Sequence, residues 1–260
     1  MLKLPDHEPS AKSQTFPCPV CTGNAPALDV VDFNKNCLEP QGHFLPLARR
    51  PVYYHMCDNC DHVFSPDFWE WEDSDFAQKI YNDDYISLDP DYLETRPVGN
   101  AKLLLQLFGA HASSIAHLDY GGGNGQLSRH LQQHGWNSTS FDPFPQTPFE
   151  PNHLGRFNLI TAFEVFEHVP HPQQLLTNIT QLMSESCLVL FSTLTSDNSL
   201  KRNARIDWWY CSPRNGHINL FTRKSLSLLG AQHQLKFGSI NEGLHCYANQ
   251  IPTWATQFSG

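Results

Sequence analysis

Four of the eight cysteines fall in two CxxC pairs, Cys18 with Cys21 and Cys57 with Cys60, 35 residues apart. Thiolates at this local spacing grip one ion from the same turn. Two such pairs complete a tetrahedral sulfur shell, the ligand set zinc favours. With all four positions filled by sulfur, that zinc is structural and has no open site for catalysis. Each pair alone is also compatible with a redox dithiol, but neither lies in a thioredoxin-like βα context. His55 and His62 flank the second pair and are expected at the surface, outside the ligand set. Cys37, Cys187, Cys211 and Cys246 read as reduced, mostly buried thiols.

A second constellation is the run HLDYGGGNGQLSRHL, in which a strand pattern passes through glycines into a helix pattern. Glycines allow a tight turn and close approach of a ligand to the backbone, and the helix that follows offers free N–H groups to a carboxylate. Gly121, Gly123 and Gly125 form GxGxG, whereas a dinucleotide loop places its third glycine where this chain has Gln126. That spacing favours S-adenosylmethionine over NAD. Asp142 follows Gly121 by 21 residues, at the end of the next strand, where a carboxylate accepts hydrogen bonds from ribose hydroxyls. A structural glycine turn beside an ordinary loop aspartate is the bland alternative.

Histidine suits proton transfer near neutral pH, and His168 and His217 both follow expected strands, on the edge where such sheets bind ligands. At either position a structural histidine is an equal reading. Glu164, Glu167 and His168 are spaced i, i+3, i+4, so one helical turn places them on one face. With His217 they form a possible second divalent site, for magnesium or manganese, with room to acidify a bound hydroxyl. The stretch DWWYCSPRNGH (207–217) concentrates Trp208, Trp209, Tyr210 and Arg214, either as packing of a crossover or as a substrate wall. Arg96 is placed to pair with a cofactor carboxylate or with solvent.

The elements that hold these residues follow from periodicity. A helix is expected around 98–108, strands at 115–120, 138–141, 157–163 and 187–193, and helices at 126–134 and 172–183. Thr222 is a candidate N-cap for a helix ending at Gly230, and two β segments fill 235–250. The fold class is therefore α/β, a Rossmann-like sheet with helices on both faces, plus a small N-terminal zinc-binding module. The expected divisions are a mobile tail at 1–15, the zinc module at 16–64, a linker with lid helices at 65–96, and the main domain at 97–260.

Seventeen basic against 26 acidic residues leave a formal charge of −9, which repels phosphate backbones and disfavours nucleic acid as a partner. No apolar run approaches the roughly 20 residues that span a bilayer, and MLKLPDHEPS lacks the apolar core of a signal peptide. A cytoplasmic enzyme without a membrane partner is expected; the sequence does not fix its oligomeric state.

Residues 115–230 resemble the class I S-adenosylmethionine-dependent methyltransferases of the ubiquinone-biosynthesis type. LDYGGGNG is similar to their first motif, FNLITAFEVFEHVPHP to their fourth-strand segment, and GHINLFTRKSL to a late stretch. The resemblance implies a seven-stranded sheet with an antiparallel last strand and cofactor contacts at Asp119, Gly121, Gly123, Asp142, Ala162, Phe163 and Glu164. Only 14 residues separate Asp142 from Phe157, so the sheet edge is expected to be trimmed and no adenine-contacting carboxylate is assigned. Joined to two CxxC pairs, the domain is similar to zinc-containing sugar C-methyltransferases, whose third, C-terminal domain these residues do not include. That likeness implies His168, His217 and Tyr85 as catalytic residues acting on a small-molecule acceptor, a sugar or other metabolite. Arg214 stands where those enzymes have a second tyrosine. The ExxEH…H set instead resembles the metal site of O-methyltransferases acting on quinol precursors or RNA 3′ ends. A non-catalytic zinc-dependent interaction module on a degenerate fold is the third reading, and the intact Asp119, GxGxG and Asp142 speak against it.

Overall fold

The computed structural model describes residues 14–143 and 149–258, so all but the last two residues of the expected tail (1–15) lie outside the described residues. The N-terminal part contains strands β1 (Phe16–Pro17), β2 (Asn24–Ala25), β3 (Ala27–Asp32), β4 (Pro51–Met56) and β5 (Val63–Phe64). Helices α1 (Asp73–Lys79), α2 (Tyr85–Leu88) and α3 (Thr95–Phe108) follow. The rest of the chain runs β6 (Ala116–Tyr120), α4 (Gln126–Gln133), β7 (Asn137–Phe141), α5 (Pro151–Leu154), β8 (Phe157–Phe163), α6 (Pro172–Thr180) and β9 (Met183–Ser192). It closes with β10 (Asn219–Leu220), α7 (Arg223–Gln232), β11 (Lys236–Ser239) and β12 (Leu244–Ala248).

The main sheet has the order β11-β12-β9-β8-β6-β7. Strands β9, β8, β6 and β7 are parallel, and β12 lies antiparallel between β11 and β9. Alternation along each strand divides its side chains between two cores. Ile160, Ala162, Val189 and Phe191 face one core with Leu175, Leu176 and Ile179 of α6 and Leu226 and Leu229 of α7. Leu159, Leu188 and Leu190 face the other, with Leu104 and Phe108 of α3 and Leu127 and Leu131 of α4. Helices on both faces explain why these strands are apolar on both sides.

Two expectations are corrected here. The main sheet has six strands among the described residues where the resemblance implies seven, in line with the trimmed edge expected from the short gap: between Asp142 and Phe157 these residues hold only the four-residue α5. The expected 172–183 helix stops at Thr180, because Met183 already pairs with Phe157 and begins the long β9.

The cysteine segment shares its core with the sheet. Cys18, Val20, Ala25, Cys57, Cys60 and Phe64 belong to the cluster that contains Phe166, Phe221 and Leu226. A smaller sheet, β10-β5-β4-β3, takes its edge strand from the C-terminal half, with Asn219 opposite Phe64. Burial also corrects the two flanking histidines, which are not surface residues. His55 packs edge-on against Phe16 at 4.7 Å, and His62 donates from Nε2 to Oδ1 of Asn219 at 2.8 Å while its ring lies 4.6 Å from Phe221. Burial pushes His62 down to about 4, so it stays neutral, with Nε2 bonded and Nδ1 buried without a partner.

Candidate active site

The glycine loop leaves β6 and enters α4 through three left-handed residues, Gly121 (φ 73°), Gly123 (φ 53°) and Gly125 (φ 73°), a region that costs other residues energy. Space is limiting too: a Cβ on Gly121 would lie 2.5 Å from Cγ2 of Val165. Gly125 is the N-cap of α4. The Gly123 N–H donates to Oδ2 of Asp142 at 2.6 Å, so the carboxylate at the end of β7 is tied to the loop.

Asp119, the last-but-one residue of β6, is buried behind this loop. The Thr161 hydroxyl donates to its Oδ1 at 2.8 Å and lies 2.9 Å from Nε2 of His117. Since that hydroxyl hydrogen is committed to Asp119, His117 donates through Nε2, and its Nδ1 accepts from Ser138 at 2.7 Å. Burial raises Asp119 to about 7, against the lowering effect of Thr161, and burial pushes His117 down to about 3.

Beside the loop a cavity of about 440 Å³ opens at the C-terminal edge of β6 and β8. That volume lies within the roughly 300–1,000 Å³ typical of small-molecule sites. Its floor is Asp119, Gly121 to Gly123 and Asp142; its far wall is Phe163, Glu164, Val165 and His168; and Tyr81, Tyr85, Asp89, Tyr92 and Arg96 close it from above. Arg96 is bound by both Asp89 and Glu164, which joins the 85–96 segment to the end of β8. The Tyr85 hydroxyl donates to Asp89 at 3.3 Å, and burial holds that phenol far above its ordinary range.

Glu164 has left the strand with φ 53° and is fixed by Ser192, whose Oγ accepts from its N–H at 2.9 Å. A single helical turn over 164–168 is therefore absent, and only Phe166–His168 form a short 3-10 turn. This corrects the four-residue metal set: Glu167, His168 and His217 come together, with ligand atoms within 4.8 Å of one another, while Glu164 is turned to Arg96. His168 lines the cavity; His217 does not, and is buried behind it at a ring separation of 4.9 Å. Each histidine has Nδ1 at a backbone carbonyl, Gly216 at 3.2 Å for His168 and Tyr210 at 2.7 Å for His217. Nδ1 therefore carries the hydrogen in each, and Nε2 keeps the lone pair. Burial pushes His168 down to about 4 and His217 well below its usual value. Glu167 accepts from the Tyr210 hydroxyl at Oε1, whereas Oε2 is buried without a partner, and burial raises the carboxyl to about 7.

The remaining expected residues are dispersed. Ala162 faces the core, not the cavity, because alternation in β8 turns it toward Phe166 and α6. Arg214 is buried and donates to the Ile80 carbonyl at 2.8 Å and to Asn82 at 3.1 Å. Tyr210 is core; Trp209 is exposed at the rim of a second cavity. Tyr81, Asp89, Tyr92 and Leu93 also line the cavity and carry no motif in the sequence, where 65–96 reads only as a linker with lid helices.

The four paired cysteines converge at the other side of the shared core. Their sulfurs are separated by 3.7 Å (Cys18 to Cys60), 3.5 Å (Cys21 to Cys57) and 3.4 Å (Cys21 to Cys60). Tetrahedral ligands 2.3 Å from zinc lie about 3.8 Å apart, whereas disulfide sulfurs lie about 2.05 Å apart. The Val20 N–H donates to Cys18 Sγ and the Asn59 N–H to Cys57 Sγ, each at 3.4 Å, which stabilises thiolate in both knuckles. This donor set fits zinc.

A family model described as a methyltransferase domain matches residues 92–237. No curated protein matches the sequence. Among solved structures, the plantazolicin methyltransferase BpumL in complex with SAH is similar at 12% identity and a TM-score of 0.51, covering 72% of this chain and 97% of that one. The 1,6-didemethyltoxoflavin-N1-methyltransferase of Burkholderia thailandensis is similar at 15% identity and a TM-score of 0.45, covering 75% and 96%. At these identities the first likeness is one of fold. No helix among the described residues is long and apolar enough to cross a membrane.

Proposed function

The chain belongs to the methyltransferase-domain family, and from that premise we propose that it transfers a methyl group from S-adenosylmethionine to a small-molecule acceptor. The observation that carries this reading is the single cavity shared by the Gly121–Gly123 loop, Asp142 and His168. When bound, S-adenosylmethionine supplies an electrophilic methyl on a sulfonium; the acceptor's lone pair takes the methyl carbon while the S–C bond pair stays on sulfur.

The chain's own residues do the rest. Asp142 would receive the ribose hydroxyls beside the Gly123 backbone, and Arg96, already bound to Asp89 and Glu164, would reach the carboxylate of the amino-acid end only by releasing one of them. His168, with Nδ1 anchored and Nε2 unprotonated at neutral pH, takes the acceptor's proton. His217 orients His168 from behind, and Tyr85 stays protonated and serves as a wall with a hydroxyl donor. Calorimetric titration with S-adenosylmethionine tests the reading. Micromolar binding supports it, and no heat of binding to folded protein would overturn it.

One observation favours a second reading, a divalent ion on Glu167, His168 and His217. The unpartnered Oε2 and two imidazoles anchored through Nδ1 form the arrangement a metal site requires. Two nitrogens and one oxygen shift preference from magnesium toward manganese, iron or zinc. Anomalous scattering from crystals soaked in manganese distinguishes the two.

The cysteine cluster we assign to structural zinc. It anchors the small sheet to the core that carries His168, and it leaves no coordination position open for chemistry.

A further inference from the structure

The face of the main sheet that packs on α3 and α4 is lined with leucine, among them Leu104, Leu127, Leu131, Leu159 and Leu188. A polar row crosses this face. His117 and Asp119, two residues apart on β6, share one side of the strand; His117 lies opposite Ser138 of β7 and Asp119 opposite Thr161 of β8. All four are buried, His117 and Thr161 completely. Polar side chains among leucines are costly unless their hydrogens find acceptors, and here one continuous chain satisfies them. It runs from Ser138 Oγ to Nδ1 of His117 at 2.7 Å, from Nε2 to the Thr161 hydroxyl oxygen at 2.9 Å, and from that oxygen to Oδ1 of Asp119 at 2.8 Å. The chain ends in the floor of the large cavity, which Asp119 lines.

A neutral imidazole donates from one nitrogen and accepts at the other, so the chain has only two ordered states. With Asp119 ionised, Thr161 donates to the carboxylate, Nε2–H donates to Thr161, and Ser138 donates to Nδ1. With the carboxyl protonated on Oδ1 every link reverses: the carboxyl donates to Thr161, Thr161 to Nε2, and Nδ1–H to Ser138. The two states differ by one proton, which goes to solvent. The tautomer of His117 therefore records the charge of Asp119.

We propose that His117 and Thr161 are positioning residues of the cofactor site: a cofactor cation seated on the cavity floor ionises Asp119, releases one proton, and moves the His117 hydrogen from Nδ1 to Nε2. Burial holds Asp119 near 7 in the empty protein, and Asp142 at the end of β7 opposes its ionisation further. Arg96 also lines the cavity but is engaged by Asp89 and Glu164, and His168 across the cavity is neutral above about pH 5. His117 stays neutral in both states, since burial holds it at about 3. Glu167 is raised to about 7 as well, but it bonds to Tyr210 and stands outside the cavity lining. The inference rests on the cofactor reading for its ligand, and on the buried chain alone for its geometry.

Nitrogen-15 imidazole spectra, with the His117 signals assigned by their loss in His117→Gln, read the tautomer. In the empty protein the hydrogen should sit on Nδ1 at pH 5.5 and on Nε2 at pH 8.5, with a midpoint near 7. Saturating S-adenosylhomocysteine at pH 5.5 should move it to Nε2. Calorimetry at pH 6 in buffers of different ionisation heat should read close to one proton released on binding, falling to none at pH 8.5. Asp119→Asn should hold one tautomer at every pH, which separates Asp119 from Glu167 as the titrating group. Thr161→Val should uncouple the tautomer from pH and ligand, and should weaken S-adenosylhomocysteine about tenfold at pH 7 but little at pH 9, because the lost bond stabilised the ionised carboxyl. A purely structural defect would weaken binding equally at both. Thr161→Ser should restore both readouts. A His117 tautomer fixed from pH 5.5 to 8.5 overturns the proposal even where Thr161→Val fails to fold, and so does binding at pH 6 without proton release. If wild type binds no S-adenosylhomocysteine while the tautomer follows pH, the cofactor reading falls and the coupling of His117 to Asp119 stands.

Discussion

The Thr222 hydroxyl donates to the Cys60 carbonyl at 2.7 Å while its oxygen accepts the N–H of Ser225 at 3.0 Å. The residue that caps α7 is thus also the clasp on the second cysteine knuckle. Lys224 adds a bond to the Asn59 carbonyl, and Arg202 donates to the Cys57 carbonyl at 2.7 Å. The carbonyls of Cys57, Asn59 and Cys60 thus all accept from the C-terminal half of the chain.

Thr222→Val keeps the shape and removes both bonds. An N-cap loss costs about 1–2 kcal/mol, and the orphaned Cys60 carbonyl adds about 1 kcal/mol. Urea denaturation should show a loss of about 2–3 kcal/mol. The rate of metal release to a chelator should rise in parallel, which a simple helix-cap defect would not produce.

The cysteine cluster predicts one equivalent of zinc in protein purified under reducing, chelator-free conditions, read by elemental analysis. Cys60→Ser should drop zinc below half an equivalent and lower the melting temperature, because Cys60 is fully buried and its thiol, raised by its bond to Cys18, needs a cation to ionise.

Asp142→Ala should weaken S-adenosylmethionine binding by about 1.5–3 kcal/mol, roughly 10- to 150-fold, through loss of a charged acceptor. Gly123 loses its partner at the same time. Unchanged affinity in a folded variant would place the ribose partner elsewhere.

Asp119 carries a testable pH signature. Its folded-state value, about 7, lies above the unfolded carboxyl's 3.8, so the folded state holds the extra proton between those values. The stability it contributes is present below about 4 and is lost as pH rises toward 7. Asp119→Asn lacks this loss. Measured by urea at pH 4.5, 5.5 and 6.5, the variant should gain on wild type with rising pH, with a slope approaching about 1.4 kcal/mol per pH unit. A constant difference would show that Asp119 is ionised in the fold.

His168 should remain neutral from pH 8 down to about 5, with hydrogen on Nδ1, because burial depresses its titration to about 4. Nitrogen-15 imidazole spectra read both the tautomer and the titration. A midpoint near 6.5 would show that the ring is solvated in the fold and not held neutral by burial.

Local physics decided much of this protein in advance. Strands with apolar residues on both faces need helices on both sides, a GxGxG turn between strand and helix needs left-handed φ, and paired thiolates need a cation; each is legible in the sequence because it depends on neighbours a few residues apart. Only the tertiary structure decided which groups meet. The i, i+3, i+4 spacing of Glu164, Glu167 and His168 implies one face only on a helix, and the chain instead leaves β8 at φ 53°, sending Glu164 to Arg96. His168 and His217 are equivalent as letters, yet packing set one in the cavity wall and one behind it. His55 and His62 read as polar, but the core shared by the knuckles and the sheet closed over them. Tyr81 and Asp89 carry no motif, since a cavity closed by one segment of the chain over distant strand ends leaves no spacing along the sequence.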